Sequence, residues 1–297
     1  MSNDTAKLRD KIRGAGELQG VVSAMKALAA SSIGQYEQSV AALGDYSHAL
    51  ELALGVCLRT SGFSSAAVRA NHTGAQANAC AVVFGSDQGL VGQFNELVAE
   101  YAAKALAAHG GKIEVWTVGE RAHDRLEEAG FRPKQGFSVP GSVKAIVPLV
   151  GQILAATEAF HGRDGAGELW LFYNRPSMGA AFAPVGQQLL PLDEKWARRM
   201  ADLPWPAKLP PQTLGEGEPV LKQLIRGHLF VSLFRACAES LASENASRLA
   251  AMQRADKNIK ERLEELHVRF HRLRQSGIDE ELFDVISGFE ALHQESS

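Results

Sequence analysis

The sequence predicts an α/β protein in which two long terminal helices wind around each other beside a central layer of strands and helices. Three observations carry that prediction. All eleven prolines lie between Pro133 and Pro219, so both ends of the chain are open to long helices. Both ends place apolar residues at alternating steps of three and four, which keeps one narrow stripe facing a partner helix. Between them, short apolar runs alternate with helical patterns, the rhythm of a mostly parallel sheet. A chain of 297 residues with 45% hydrophobic content can bury one large core or two modest ones.

The front of the chain, residues 1–58, opens on the cap candidates Ser2, Asn3 and Asp4. Leu8, Ile12, Ala15, Val22, Ala29, Ile33, Tyr36, Val40, Leu43, Leu50 and Leu54 form one seam. Ala24, Ala27, Ala29 and Ala30 would let another helix approach closely. Gly14, Gly16 and Gly20 each weaken the helix by about 1 kcal/mol relative to alanine. It should therefore hold only when packed. Residues 59–78, rich in Ser, Ala, Gly and Asn, read as a mobile linker.

Residues 79–217 form the predicted α/β domain. Ala79–Phe84 is a buried strand, followed by the loop Gly85–Gly92 and a helix from about Gln93 to His109. Ile113–Val118 is a second strand, and Arg121–Ala129 a helix closed by Gly130. Val143–Phe160 looks helical, interrupted or opened near Pro148; Glu168–Tyr173 is a strand, and Gln187–Leu192 an edge strand. Leu203–Gly217, with four prolines, is a return loop.

The tail, residues 218–297, is one continuous helical pattern, with Pro219 suited to its first turn. Leu249, Met252, Ile259, Leu263, Leu266, Phe270 and Leu273 supply the seam that the front requires. Read as one helix, Pro219 to Leu292 would be roughly 110 Å long, so part of it should project from the domain.

Composition excludes several classes. The net charge of −3 argues against a general nucleic-acid binder. Arg248–Arg274 carries eight Arg or Lys against four acids, while Gln275–Ser297 carries six acids and no Lys or Arg. A basic collar before an acidic tip suits an acidic partner partway along the helix, and equally a solvated helix face. Cys57, Cys80 and Cys237 are odd in number and without metal-ligand spacing, which reads as buried thiols in a reducing compartment. No run of eighteen apolar residues and no leader pattern is present, so neither direct membrane insertion nor a targeting peptide is expected.

The loop Gly85-Ser-Asp-Gln-Gly-Leu-Val-Gly92 sits between a strand and a helix, where phosphate loops occur. It lacks the Lys-Ser/Thr pair of a P-loop and the G-x-G-x-x-G spacing, so a structural turn is the better reading. His267 and His271 share a helical face without a third ligand, and Glu264–Glu265 and Glu280–Glu281 are neighbours that point apart. No residues form a catalytic constellation or a cofactor or metal site.

Three stretches together resemble the gamma subunits of F-type ATP synthases. The first is Leu8-Arg-Asp-Lys-Ile-Arg13 with Ala24-Met-Lys-Ala-Leu-Ala-Ala-Ser31. The second is Ser86-Asp-Gln-Gly-Leu-Val-Gly-Gln-Phe-Asn95. The third is Ser243-Glu-Asn-Ala-Ser-Arg-Leu-Ala-Ala-Met252 with Arg274-Gln-Ser-Gly-Ile-Asp-Glu-Glu-Leu282 and Ile286-Ser-Gly288. The resemblance runs from end to end, more loosely in the middle. It implies an antiparallel coiled coil of the two termini and a Rossmann-like α/β domain. It also implies a non-catalytic rotor that turns inside the α3β3 hexamer and packs on the epsilon subunit and the membrane c-ring. Such a subunit would sit peripherally on the cytoplasmic side of a bacterial membrane. Met25, Lys26, Arg248, Gln275 and Glu281 match hexamer-contacting positions; Asp87, Gly89, Gly92 and Asn95 match the structural loop. The basic collar would then face acidic levers of the beta subunits.

Departures are visible at Asp279, where the family carries a small polar residue, at the three front glycines, and at Ile259-Lys-Glu-Arg262. They suggest a divergent subtype working mainly as an ion-pumping ATPase. Two other readings compete: an α/β nucleotide- or phosphate-binding enzyme with a helical oligomerisation arm, and a static coiled-coil adaptor.

Overall fold

A computed structural model describes residues 2–60, 78–164, 167–177, 180–209, 211 and 217–294. The elements run α1 (Ser2–Thr60), β1 (Ala79–Phe84), α2 (Phe94–Ala107), β2 (Ile113–Val118), α3 (Glu120–Glu128) and β3 (Gln135–Phe137). They continue through α4 (Val143–Asp164), β4 (Glu168–Ser177), β5 (Ala180–Leu190), α5 (Glu194–Ala201) and α6 (Gly217–Gln294). The chain forms two compact units, residues 1–28 with 249–297, and residues 29–248.

In residues 29–248 the five strands lie in the order β3-β2-β1-β4-β5. The first four are parallel, and β5 returns antiparallel to β4. The strand order reverses beside β1, the switch point of a doubly wound sheet. A central parallel strand is covered on both faces and so reads as an unbroken apolar run. In β1, Cys80, Val82 and Phe84 face one core with α4 and α6, while Ala81 and Val83 face a second with α2 and α3. A third apolar cluster joins Leu50, Leu54 and Cys57 of α1 to Met200 of α5 and Leu221 of α6. Here α1 and α6 run antiparallel, since Tyr36 feels Glu244 while a Cβ at Gly227 would meet Leu50.

In residues 1–28 with 249–297 the pairing is also antiparallel. The Arg9 guanidinium lies 5.8 Å from the Phe270 ring centroid, and Gln19 and Lys26 both reach Asp256. Leu8, Met252 and Leu266 are buried in this unit.

Several expectations need correction. Helix α1 continues through Arg59 to Thr60, past the start predicted for the linker, and residues 61–77 of that linker lie outside the described residues. Helix α4 is continuous from Val143 to Asp164 with Pro148 inside it. A proline this close to the start removes one early hydrogen bond, and burial of Ile146, Val150 and Ile153 holds the helix on the sheet. By length and composition α4 is apolar enough to cross a membrane, but those side chains make it a core helix. Strand β5 spans Ala180–Leu190 rather than Gln187–Leu192, carried by its pairing with β4. The short elements β3 and α5 escaped the periodicity, because three residues and eight residues are too few to show it. Within the predicted return loop, residues 210 and 212–216 lie outside the described residues.

Candidate functional site

The loop after β1 is held by its own side chains. Asn95, buried in the first turn of α2, accepts at Oδ1 from the Ser86 backbone N–H at 2.9 Å and donates from Nδ2 to Ser86 Oγ at 2.9 Å. Ser86 Oγ donates to the Gln88 carbonyl at 2.8 Å. Asp87 bridges two further segments: Oδ1 accepts from Glu120 N at 3.1 Å and Oδ2 from Val139 N at 2.9 Å. Glu120 N belongs to the first turn of α3, so the carboxylate stands where a helix N-terminus would take an anion. A phosphate in this loop would meet a fixed negative charge, which disfavours a nucleotide site here.

Two glycines are required by this packing. A Cβ on Gly85 would lie 2.3 Å from the Ala122 Cβ, and one on Gly119, at φ +105°, would lie 2.8 Å from the Ser86 backbone. Gly92 has φ +60°, while Gly89 faces open space. Leu90, with φ +64°, projects its side chain into solvent. Val91 is buried, and its carbonyl accepts from the Ser247 hydroxyl of α6.

That last contact brings the loop to the third sequence stretch. A polar cavity of about 230 Å³ is lined by Asp87 and Gln88 of the loop, Ser32 and Tyr36 of α1, and Glu244 and Arg248 of α6. Arg248 Nη2 donates to Glu244 Oε1 at 2.7 Å, with both side chains largely buried. Burial pushes the Glu244 carboxyl above its ordinary range; Arg248 opposes this and Asp87 adds to it. The Tyr36 phenol is raised by burial, then by Glu244 and Cys237. Glu244 Oε2 and Arg248 Nε are both buried without a hydrogen-bond partner among the described residues. The sequence presents Tyr36 only as a seam residue and Glu244 only within the third stretch, not as partners in one cavity. The available signal was the i, i+4 spacing of Glu244 and Arg248.

Of the other predicted contact positions, Met25 and Lys26 are half-buried, while Gln275 and Glu281 are exposed. Lys26 Nζ is engaged within the chain, 3.2 Å from Asp256 Oδ2. Asp256 also accepts from Lys260 at 3.0 Å and from Gln19 at 3.4 Å. Its carboxyl is held below the ordinary range by hydrogen bonds from Lys260 and Lys26. Asp256 is a third residue whose role the sequence does not announce. The seam steps from Met252 to Ile259, and Asp256 fills the position between them. A polar residue in such a seam fixes helix register.

Around this unit the collar is partly neutralised within α6, by Lys257–Glu261 and Arg262–Glu265. Arg254, Arg269, Arg272 and Arg274 remain exposed, as do His267 and His271. Leu18, Val21 and Leu28 of α1 and Ile278, Leu282, Phe283 and Val285 of α6 present apolar side chains to solvent.

The chain matches the ATP synthase family over residues 4–292. The ATP synthase gamma chain of Granulibacter bethesdensis is 30% identical over 304 aligned residues, covering 96% of this chain and 98% of that one. The gamma chain of Paramagnetospirillum magneticum is 28% identical at the same coverage of both chains. Among solved structures, a chain of the Euglena gracilis mitochondrial ATP synthase (OSCP/F1/c-ring) has a TM-score of 0.62 at 16% identity, covering 100% of this chain and 97% of its own. A chain from the rotor of the same enzyme has a TM-score of 0.57 at 15% identity, covering 94% and 100% respectively. These two establish likeness of fold. Taken with the match along nearly its whole length, they leave one assignment: the chain belongs to the ATP synthase gamma-chain family, whose members are non-catalytic stalk subunits.

Proposed function

We propose that this chain is the central-stalk rotor subunit of an F-type ATP synthase, coupling ion flow through a membrane ring to ATP synthesis or hydrolysis by rotation. The observation that supports it best is the helical pair of residues 1–28 and 249–297. Its seam is closed internally, yet it exposes Leu18, Val21, Leu28, Ile278, Leu282 and Phe283. That many exposed apolar side chains on a two-helix unit call for a partner. The α3β3 hexamer is the partner we assign, with the epsilon subunit and c-ring meeting the α/β part, on the cytoplasmic side of a bacterial membrane.

In this reading α1 and α6 are the coupling helices, and the sheet with α2 to α5 is the base. The helical pair presents different side chains around its circumference, so each catalytic site meets a different face at a given angle. Rotor angle and nucleotide affinity are then linked reciprocally. Met25, Gln275 and Glu281 are the contacts available to the hexamer. Lys26 and Arg248 act there through groups already held by Asp256 and Glu244.

The test is co-purification followed by cross-linking. One copy per three catalytic chains is expected, and a disulfide from Gln275→Cys to a catalytic chain should stop ATP turnover until reduced. Undiminished turnover in the cross-linked complex would make the chain a static adaptor instead.

A further inference from the structure

Residues 29–248 hold a second concave feature that the rotary reading does not use. A cleft of about 530 Å³ opens beside the outer strand β5, walled by α1, α5 and α6. Its size is that of small-molecule sites. Three arginines line it from three elements: Arg175 of β4, Arg199 of α5 and Arg235 of α6.

Arg175 is aimed by its neighbours. Its Nε donates to Glu239 Oε2 at 2.9 Å, Nη2 donates to the Tyr173 hydroxyl, and the group lies 5.5 Å from the Tyr173 ring centroid. Arg199 and Arg235 have no carboxylate within ion-pair distance among the described residues. Glu51 is the one acid in the lining.

His228 lines the same cleft, its ring 5.1 Å from the Trp196 indole. Burial holds its imidazole below the ordinary range; Glu51 opposes this, and Arg199 and Arg235 reinforce it. Both arginines therefore act electrostatically on the same imidazole.

We propose that this cleft binds a phosphate-bearing small anion, with phosphoryl oxygens between Arg175, Arg199 and Arg235 and the body of the ligand against Trp196. The choice of phosphate follows from the three separate elements that carry the arginines. A planar carboxylate is satisfied by one guanidinium fork, whereas donors arriving from a strand and two helices suit oxygens disposed tetrahedrally about one phosphorus. Gln187, Gln188 and Ser232 add uncharged donors on the same walls. The bound anion also favours the imidazolium of His228, so binding takes up a proton and tightens as pH falls.

The site is tested on the full chain alone, so its failure is separable from failure of the rotary assignment. Inorganic pyrophosphate and ADP would be titrated calorimetrically at low and high salt, across a range of pH. One-to-one binding that weakens with salt is expected. Arg199→Gln and Arg235→Gln should each weaken it by roughly tenfold or more. His228→Gln should flatten the pH dependence. Arg199 is exposed, so its substitution leaves the fold intact, checked by circular dichroism. No binding of either probe, or binding indifferent to Arg199→Gln, overturns the proposal.

Discussion

Glycine means different things in the two units. In residues 29–248, Gly85, Gly119 and Gly167 have no room for a Cβ, which would meet Ala122 at 2.3 Å, the Ser86 backbone at 2.8 Å and Phe160 at 2.7 Å. In residues 1–28, Gly14, Gly16 and Gly20 would place a Cβ with nothing within 4 Å. The first unit is saturated, with Trp116, Phe84, Phe94 and Tyr173 essentially free of solvent. The second buries a single seam and leaves most of its surface uncovered. A two-helix unit has too little interior to exclude water from more than one stripe, so its stability is modest and its surface is available. The contrast is between a part built to hold shape and a part built to be touched.

That contrast can be broken at its strongest point first. Trp116→Ala, at a buried position of β2, should cost about 3–5 kcal/mol in denaturant titration. A loss comparable to that of an exposed side chain would mean the core is not where stability resides. Next, Gly85→Ala should cost roughly 1–3 kcal/mol, since the Ala122 backbone also lies 3.3 Å from the added carbon and cannot yield as a flexible side chain does.

Two buried carboxylates sharpen the comparison through opposite pH signs. Glu244, in residues 29–248, has a raised pKa in the folded state, so its contribution is present below the unfolded value and is lost as pH rises through the folded value. Asp256, in the helical pair, has a lowered pKa, so its contribution is present above the unfolded value and is lost as pH falls through the folded one. Stability curves of Glu244→Gln and Asp256→Asn against pH should therefore differ from the parent in opposite senses. Deviations of the same sense would remove the distinction.

Smaller effects should come from the helical pair itself. Gly16→Ala should stabilise by about 0.5–1 kcal/mol, because alanine restricts the unfolded chain and meets no obstacle. Phe283→Ser, 71% exposed, should change the stability of the isolated chain by less than about 0.5 kcal/mol. A large loss there would show that the apolar tip is already covered within the chain.

The long-period features were legible because each depends on spacing alone. The seam from Leu8 to Leu54 is read from steps of three and four, and every member is buried or half-buried. The run Ala79–Phe84 announces a two-faced strand, and clustered prolines mark where long helices cannot be. Tertiary structure alone decided how those pieces meet. Asp87 finds its partners at Glu120 and Val139, and Glu244 comes to share a cavity with Tyr36 and Asp87. Asp256 proves to be a ligand for Gln19 and Lys26 from the far end of the chain. Periodicity reports which face of an element turns inward. A hydrogen bond between residues two hundred positions apart depends on side-chain direction and on a register set by every intervening turn, which no local pattern encodes.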